Sequence, residues 1–268
     1  MFETAKLLNR RVADEVIELA EEAGEAIMEI YRSADFETTY KEDDSPLTRA
    51  DLASHRILVE GLEAIEPGLP VLSEESSEIS RARRQQWKTF WMIDPLDGTK
   101  EFIKQNGEFT VNVALIDDGR PVLGVVHAPD LAATYFAVED IGAFKRTEEA
   151  SQPLAVAKQV ELPVAVVVSR SHLRERDEAF IEALRTEYGE ATLTPKGSSL
   201  KLCLVAEGLA DVYPRFGPTM EWDTAAAQCV VEQAGGLVHT ENGDVLAYNK
   251  DDLLNPVFIA RHPALTLP

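Results

Sequence analysis

Between residues 7 and 31 the apolar positions Val12, Val16, Leu19, Ala20, Ala23, Ala26 and Ile27 recur at helical spacing with Glu and Arg between them. That spacing predicts an amphipathic helix. A second helix is expected over 48–65, opened by Ser45-Pro46 and closed by Pro67-Gly68. Short apolar runs follow. Pro70-Val71-Leu72 and Phe90-Trp91-Met92-Ile93 read as strands that end in polar residues. Residues 109–116 and 122–126 flank Asp117-Asp118-Gly119-Arg120-Pro121, a hairpin signature. Residues 135–138 and Ala143-Phe144 extend the same antiparallel sheet.

The polar stretch 147–159, interrupted by Pro153, is the candidate boundary between an N-terminal unit, 1–150, and a C-terminal unit, 151–268. Beyond it the pattern changes. A continuous apolar strand at 164–168 precedes a helix at 175–188 and a short strand at 192–195. A helix at 199–207 ends at Gly208, a strand follows at 209–213, and a helix at 222–234 stops at Gly235-Gly236. The expected fold class is therefore α/β: an antiparallel sheet with helices in the first half and a smaller mixed α/β second half. The chain shows no internal repeat or low-complexity segment.

With 268 residues, 45% of them hydrophobic, the chain can bury a sizeable core. Its formal charge is 26 − 47 = −21. Such a charge repels polyanions over most of the surface, and Lys and Arg form no stripe beyond Arg81, Arg83 and Arg84. Duplex nucleic acid is thus disfavoured as a partner, because affinity there comes mainly from neutralising phosphates. A small phosphate remains possible if metal ions supply positive charge locally. The opening thirty residues carry Glu21, Glu22 and Glu25 where a secretory signal would be basic and then apolar. No apolar run approaches the roughly 20 residues that span a bilayer. The expectation is a soluble cytoplasmic protein, monomer or homodimer, with peripheral membrane association left open. Cys203 and Cys229 stand apart without a partner motif and read as reduced, buried thiols. The five histidines show no zinc-ligand spacing.

The most informative string is Trp91-Met92-Ile93-Asp94-Pro95-Leu96-Asp97-Gly98-Thr99-Lys100. A strand ending at Asp94 would bring its carboxylate out at the sheet edge. Pro95 fixes one backbone torsion, and Asp97 follows two residues later. Carboxylates held so close repel each other unless a cation lies between them. Hard oxygen donors of this kind suit magnesium. The turn exposes the Leu96 carbonyl, Gly98 permits a tight backbone, and Thr99 opens a helix whose free N–H groups could hold a phosphate.

Each acid also has a structural reading. Asp94 could begin a turn and Asp97 cap the next helix. Glu74-Glu75 could belong to a solvated loop, and Asp51 could stabilise the first turn of its helix. Asp223 could be an N-cap, or a metal ligand supplied by the second half.

Three separated strings, Leu72-Ser73-Glu74-Glu75, Ile93-Asp94-Pro95-Leu96-Asp97-Gly98-Thr99 and Trp222-Asp223-Thr224-Ala225, resemble the pattern of the lithium-sensitive inositol monophosphatase superfamily in order and spacing. Gly98-Thr99-Lys100-Glu101-Phe102-Ile103, Gly197-Ser198-Ser199-Leu200-Lys201 and Tyr213-Pro214-Arg215-Phe216-Gly217-Pro218-Thr219 resemble its bacterial 3′(2′),5′-bisphosphate nucleotidase type. The similarity spans about residues 20–256.

The resemblance implies a layered α/β sandwich with the active site between its halves. It implies that Glu74, Asp94, Asp97, Asp223 and the Leu96 carbonyl bind two or three magnesium ions. Glu74 and Thr99 would orient a metal-activated water, and Asp51 would support a further, weaker metal. Gly98 and Thr99 would cradle the scissile phosphate. His172, Ser198, Lys201 and Arg215 would meet a bisphosphorylated nucleotide, alongside Glu74, Leu96, Asp97 and Asp223. The function implied is removal of the 3′-phosphate of adenosine 3′,5′-bisphosphate, or of its sulfated form, in sulfur assimilation. The alternatives are an inositol or sugar phosphate phosphatase of the same superfamily, and a non-catalytic metal-binding regulatory protein. The chemistry of a phosphate monoester agrees. Its dianion repels hydroxide, and clustered magnesium removes that repulsion.

Overall fold

Alternate positions along the strands carry different cores, and that alternation stacks the chain into five layers. The computed structural model describes residues 4–33, 36–40, 46–76, 79–170 and 174–268. Ser45 and His172 lie outside the described residues. Helix α1 (Arg10–Ser33) leads through a ribbon of β1 (Thr39–Tyr40) and β2 (Pro46–Leu47) to α2 (Arg49–Ile65). In α1 the residues Val12, Val16, Ala20, Ala23 and Ile27 are buried. Their stripe drives the helix onto the sheet beneath, since each large apolar side chain so buried stabilises the fold by roughly 1.5–3 kcal/mol.

That sheet has seven strands in sequence order: β3 (Val71–Ser73), β4 (Thr89–Asp97), β5 (Thr110–Asp117), β6 (Arg120–Ala128), β7 (Ala133–Val138), β8 (Gly142–Thr147) and β9 (Ser151–Leu154). All pairings are antiparallel except β3 with β4. Two short helices, α3 (Arg81–Arg84) and α4 (Thr99–Ile103), flank β4. Trp91, Ile93, Val111, Val113, Leu115 and Val125 share a core with α1 and α2. On the opposite face Phe90, Met92, Ala114, Ile116 and Val126 share a core with two later helices, α6 (Leu200–Ala206) and α7 (Glu221–Gln233).

The second sheet is mixed, in order β11-β10-β12-β14-β13, built from β10 (Val164–Ser169), β11 (Ala191–Lys196), β12 (Val212–Arg215), β13 (Leu237–Thr240) and β14 (Phe258–Arg261). Val167, Tyr213 and Phe258 face α6 and α7. Val164, Val166, Val168 and Ile259 face α5 (Glu175–Tyr188) through Ile181 and Leu184. The layers are therefore α1/α2, first sheet, α6/α7, second sheet and α5.

Several elements differ from expectation. Residues 209–213 were expected as a strand, but Leu209 is 63% exposed and the strand is Val212–Arg215, with Arg215 its last residue. Strands β13 and β14 are short and were not foreseen. Within the polar stretch 147–159, Ser151–Leu154 pairs with β8 as an edge strand. Pro153 fits there because one side of an edge strand needs no donor. The second sheet opens at Val164. Cys203 and Cys229 are free and buried. Among the described residues no helix is long and apolar enough to cross a membrane.

Candidate active site

The strand expected to end near Asp94 continues to Asp97, and this changes where its carboxylates sit. Asp94 is 1% exposed and is the register partner of Asn112 on β5, one residue past Ile93, where the pairing with β3 ends. The ladder shifts between Asp94 and Asp97, and pairing resumes at Asp97 with Thr110. A bulge of this kind accommodates Pro95, which has no N–H for the ladder. The Pro95 carbonyl accepts a hydrogen bond from Ser54 Oγ at 2.7 Å, which ties β4 to α2. Leu96 N donates to Asp94 Oδ1 at 3.1 Å, and the Leu96 carbonyl accepts from Thr99 Oγ1 at 3.3 Å. The turn then closes on Gly98, whose φ of +94° favours glycine. A Cβ there would stand 3.0 Å from the Glu108 carbonyl.

Asp97 does not cap α4. Its Oδ2 accepts the backbone N–H of Ser199, at the start of α6, at 2.5 Å. Asp223 is not an N-cap either. It is the third residue of α7, and its Oδ2 accepts the N–H of Met220 at 2.9 Å. Asp51 does support its helix. Its Oδ2 accepts Thr48 N at 2.8 Å and Thr48 Oγ1 at 2.6 Å, completing a capping box. The same carboxylate reaches across to Thr99, whose Oγ1 lies 3.4 Å from Asp51 Oδ1. Glu74 opens a 3-10 turn, Glu74–Ser76, directly after β3.

These acids feel one another. Burial pushes the Asp94 carboxyl well above its ordinary range, and Glu74, Asp97, Asp223 and Asp51 push it further. Asp223 is raised to about 8, by burial first and then by Asp97 and Glu74. Burial raises Asp51 to about 6 against its bonds from Thr48, with Glu74 adding to the rise. Asp97 is raised by burial, with Lys201 and the Ser199 N–H opposing the shift. Asp94, Asp97 and Asp223 each spend one oxygen on a backbone N–H. Among the described residues their other oxygens accept no hydrogen bond. The carboxylates stand apart, however: no three or more acidic, His or Cys side chains among the described residues close into a ready metal cage. What favours a cation is the donor chemistry, hard oxygens in a buried group whose mutual repulsion a divalent ion would reverse.

Asp97, Gly98 and Asp223 line a cavity of about 230 Å³ together with Ser198, Lys201 and Arg215. A larger cavity, about 640 Å³, lies between α1 and β6–β8 and contains none of these residues. Lys201 is 8% exposed and donates from Nζ to the Ser198 carbonyl at 2.5 Å. Burial lowers its ammonium to about 8 against the pull of Asp97, and Arg215 adds to the lowering. Arg215 donates to the Pro218 carbonyl at 2.9 Å.

Residues 8–266 match the inositol monophosphatase family. The chain belongs to that family. It is 48% identical to the 3′(2′),5′-bisphosphate nucleotidase CysQ of Salmonella typhimurium over 251 residues, covering 91% of this chain and 97% of that protein. It is 47% identical to the CysQ of Escherichia coli K12, with the same coverage. The crystal structure of CysQ from Bacteroides thetaiotaomicron, described as a bacterial member of the inositol monophosphatase family, superposes with a TM-score of 0.85 at 44% identity. That match covers 95% of this chain and 98% of the other.

In this inositol monophosphatase family chain the residues that sequence reading missed are those joining the halves. Glu108 is 7% exposed; its Oε2 accepts Arg170 Nε at 2.7 Å and Gly197 N at 2.8 Å. Its Oε1 accepts Arg170 Nη2 and lies 3.3 Å from Lys196 Nζ. Arg170 and Lys196 line the same cavity. Asn112 and Thr110 both hydrogen-bond to Ser199. Their signal was visible, since they are the two polar residues in the apolar run 109–116. Nothing in the sequence around Glu108 pairs it with Arg170. His172 lies outside the described residues.

Proposed function

We propose that this chain is a magnesium-dependent phosphomonoesterase that removes the 3′-phosphate of adenosine 3′,5′-bisphosphate, and of its sulfated analogue. The observation that carries the reading is the meeting, in one cavity, of the acidic pair Asp97 and Asp223 with the cations Lys201 and Arg215. One wall suits metal ions and a scissile phosphate, the other a second anionic group. The identity to proteins named 3′(2′),5′-bisphosphate nucleotidase supports that choice of substrate.

Glu74, Asp94, Asp97, Asp223 and the Leu96 carbonyl would hold two or three magnesium ions, with Asp51 beside them. Bound magnesium neutralises the phosphate dianion, makes water a competent nucleophile near neutral pH and stabilises the leaving alkoxide. The protein's own groups do the positioning. Gly98 and Thr99 present backbone N–H groups to the phosphate that is lost. Thr99 Oγ1, within reach of Asp51 and the Leu96 carbonyl, would act with Glu74 to orient the attacking water. Lys201 and Arg215 bind the second phosphate as a point charge and a fork respectively, and Ser198 and His172 meet the nucleotide. A −21 chain thereby handles a polyanion through local cations.

The test is phosphate release from a panel of adenosine 3′,5′-bisphosphate, its sulfated form, adenosine monophosphates, inositol 1-phosphate and sugar phosphates, with magnesium and with a chelator. Preference for the bisphosphates, loss of release on chelation and inhibition by millimolar lithium are expected. Hydrolysis of inositol 1-phosphate at rates equal to or above those for the bisphosphate would overturn the substrate assignment. Release of no phosphate from any of them would favour a non-catalytic metal-binding protein.

A further inference from the structure

Asn112 is 1% exposed in the middle of β5 and is the register partner of Asp94 on β4. Directly opposed residues on antiparallel strands project to the same side of a sheet. The positions two and four residues away confirm the side: Phe90, Met92, Ala114 and Ile116 all lie in the core beneath α6 and α7. Asn112 Oδ1 accepts the Ser199 hydroxyl at 2.9 Å, and Ser199 Oγ is 2.8 Å from Thr110 Oγ1. The other end of the amide is different. Nδ2 is buried and has no hydrogen-bond partner among the described residues.

Turning the amide over would exchange its nitrogen and oxygen and still leave one end orphaned. An unpartnered buried amide is unfavourable, and Val111 and Val113 show that this strand takes apolar residues readily. Stability alone would therefore fill position 112 with an aliphatic side chain. The orphaned end shares its face with Asp94, whose Oδ1 is held by Leu96 N. The satisfied end holds Ser199, whose backbone N–H is on Asp97 Oδ2. One amide thus stands between the two acids of the Asp94-Pro95-Leu96-Asp97 string.

We propose that Asn112 is a positioning residue for the cation site: its unpartnered Nδ2 is the donor that takes up the free oxygen of the Asp94 carboxylate when magnesium binds, while its Oδ1 fixes Asp97 through Ser199. The inference rests on the reading of these carboxylates as magnesium ligands. A neutral donor suits the position because a further cation there would compete with the metal, and a further acid would add to the repulsion among Glu74, Asp97 and Asp223.

The experiment is magnesium binding by titration calorimetry to the parent protein, Asn112→Ala, Asn112→Leu and Ser199→Ala, with thermal melts of each metal-free protein. Loss of a group that orients metal ligands should weaken magnesium binding by about 10-fold or more. Asn112→Ala and Asn112→Leu should show that loss, and Ser199→Ala a smaller one. Metal-free Asn112→Leu should melt no lower than the parent, because the orphaned amide is gone. High magnesium should restore turnover by Asn112→Ala. If the alanine and leucine variants do not fold, Asn112→Ser, which keeps a hydroxyl but removes Nδ2, carries the same test. Folded variants that bind magnesium within about twofold of the parent would overturn the inference. A parent that binds no magnesium would overturn the reading of the site itself, so the two failures are distinguishable.

Discussion

Ser199 N donates to Asp97 Oδ2 at 2.5 Å, across 102 residues of sequence. That bond joins the end of β4 to the start of α6. A carboxylate from the first sheet is thereby oriented by a backbone group next to Lys201, on the helix that separates the sheets. The acidic and basic walls of the cavity are held in register by the same residue.

Asp94→Asn removes one acid from a buried group in which Glu74, Asp97, Asp223 and Asp51 all raise its proton affinity. The amide keeps the shape and can still accept the Leu96 N–H. Outer groups around metal ligands are typically worth 10–100-fold, so losing a ligand should cost at least about 100-fold in phosphate release. The metal-free variant should melt at or above the parent temperature, because repulsion is relieved. Parent-like turnover in the folded variant would remove Asp94 from the metal site.

Arg215→Ala tests the other wall of the cavity. A hydrogen bond to a charged group contributes about 1.5–3 kcal/mol, so KM for adenosine 3′,5′-bisphosphate should rise roughly 10-fold or more. Hydrolysis of a nucleotide with a single phosphate should change little. Equal effects on both substrates would assign Arg215 to the fold, through its bond to the Pro218 carbonyl.

The residues whose chemistry is carried by local strings were legible before the fold was known. Asp94, Asp97 and Gly98 follow one another in a turn, and Asp223 sits at a helix start, so spacing alone made them candidates. Their detailed geometry was not legible. The sequence pattern ended the strand at Asp94 because Pro95 interrupts the apolar run, whereas the bulge carries pairing on to Asp97. The N-cap readings for Asp97 and Asp223 give way because Gly98 and Met220 occupy the cap positions, although Asp223 completes the capping box of α7 from its third position. Asp51 does sit in the first turn of its helix, as expected, and its capping bonds to Thr48 and its contact with Thr99, 48 residues away, are added to that. Glu108 with Arg170 and Asn112 with Ser199 are pairs made only by layering, at separations of 62 and 87 residues. No periodicity reports such pairs. The strands β13 and β14 were lost for a related reason, since four residues are too few to show alternation.

Gly124→Ala should separate the first sheet from α7. A Cβ at this β6 position would stand 2.3 Å from the Ala226 carbonyl and 2.9 Å from Cys229 Cβ. Both belong to α7, the helix whose third residue is Asp223, and a backbone carbonyl cannot swing aside. Overpacking of this kind costs about 1–3 kcal/mol. Urea unfolding should show that loss, and magnesium affinity should fall with it as α7 shifts Asp223. Unchanged stability would mean that α7 adjusts freely against the sheet.

His127 provides a pH-dependent contribution remote from the acidic cluster. Its Nδ1 lies 2.9 Å from Thr134 Oγ1, and that hydroxyl donates to Glu21 Oε1, so the imidazole N–H donates to the threonine. The ring is neutral and 8% exposed. Burial, aided by Arg146, holds it down to about 4 from an ordinary value of 6.5. A folded-state value below the unfolded one gives stability that is complete above 6.5. It is lost as pH falls toward 4, because the unfolded chain takes up the proton first. Between about pH 7.5 and 5.0 the expected loss is roughly 2 kcal/mol. The carboxylates with raised values act in the opposite sense, so the measurement is a difference between proteins. In His127→Phe, which keeps a ring but cannot titrate, unfolding free energy should decline less over this range by about that amount. Identical pH profiles for the two proteins would show that the folded state admits the proton at His127, contrary to its burial beside Arg146.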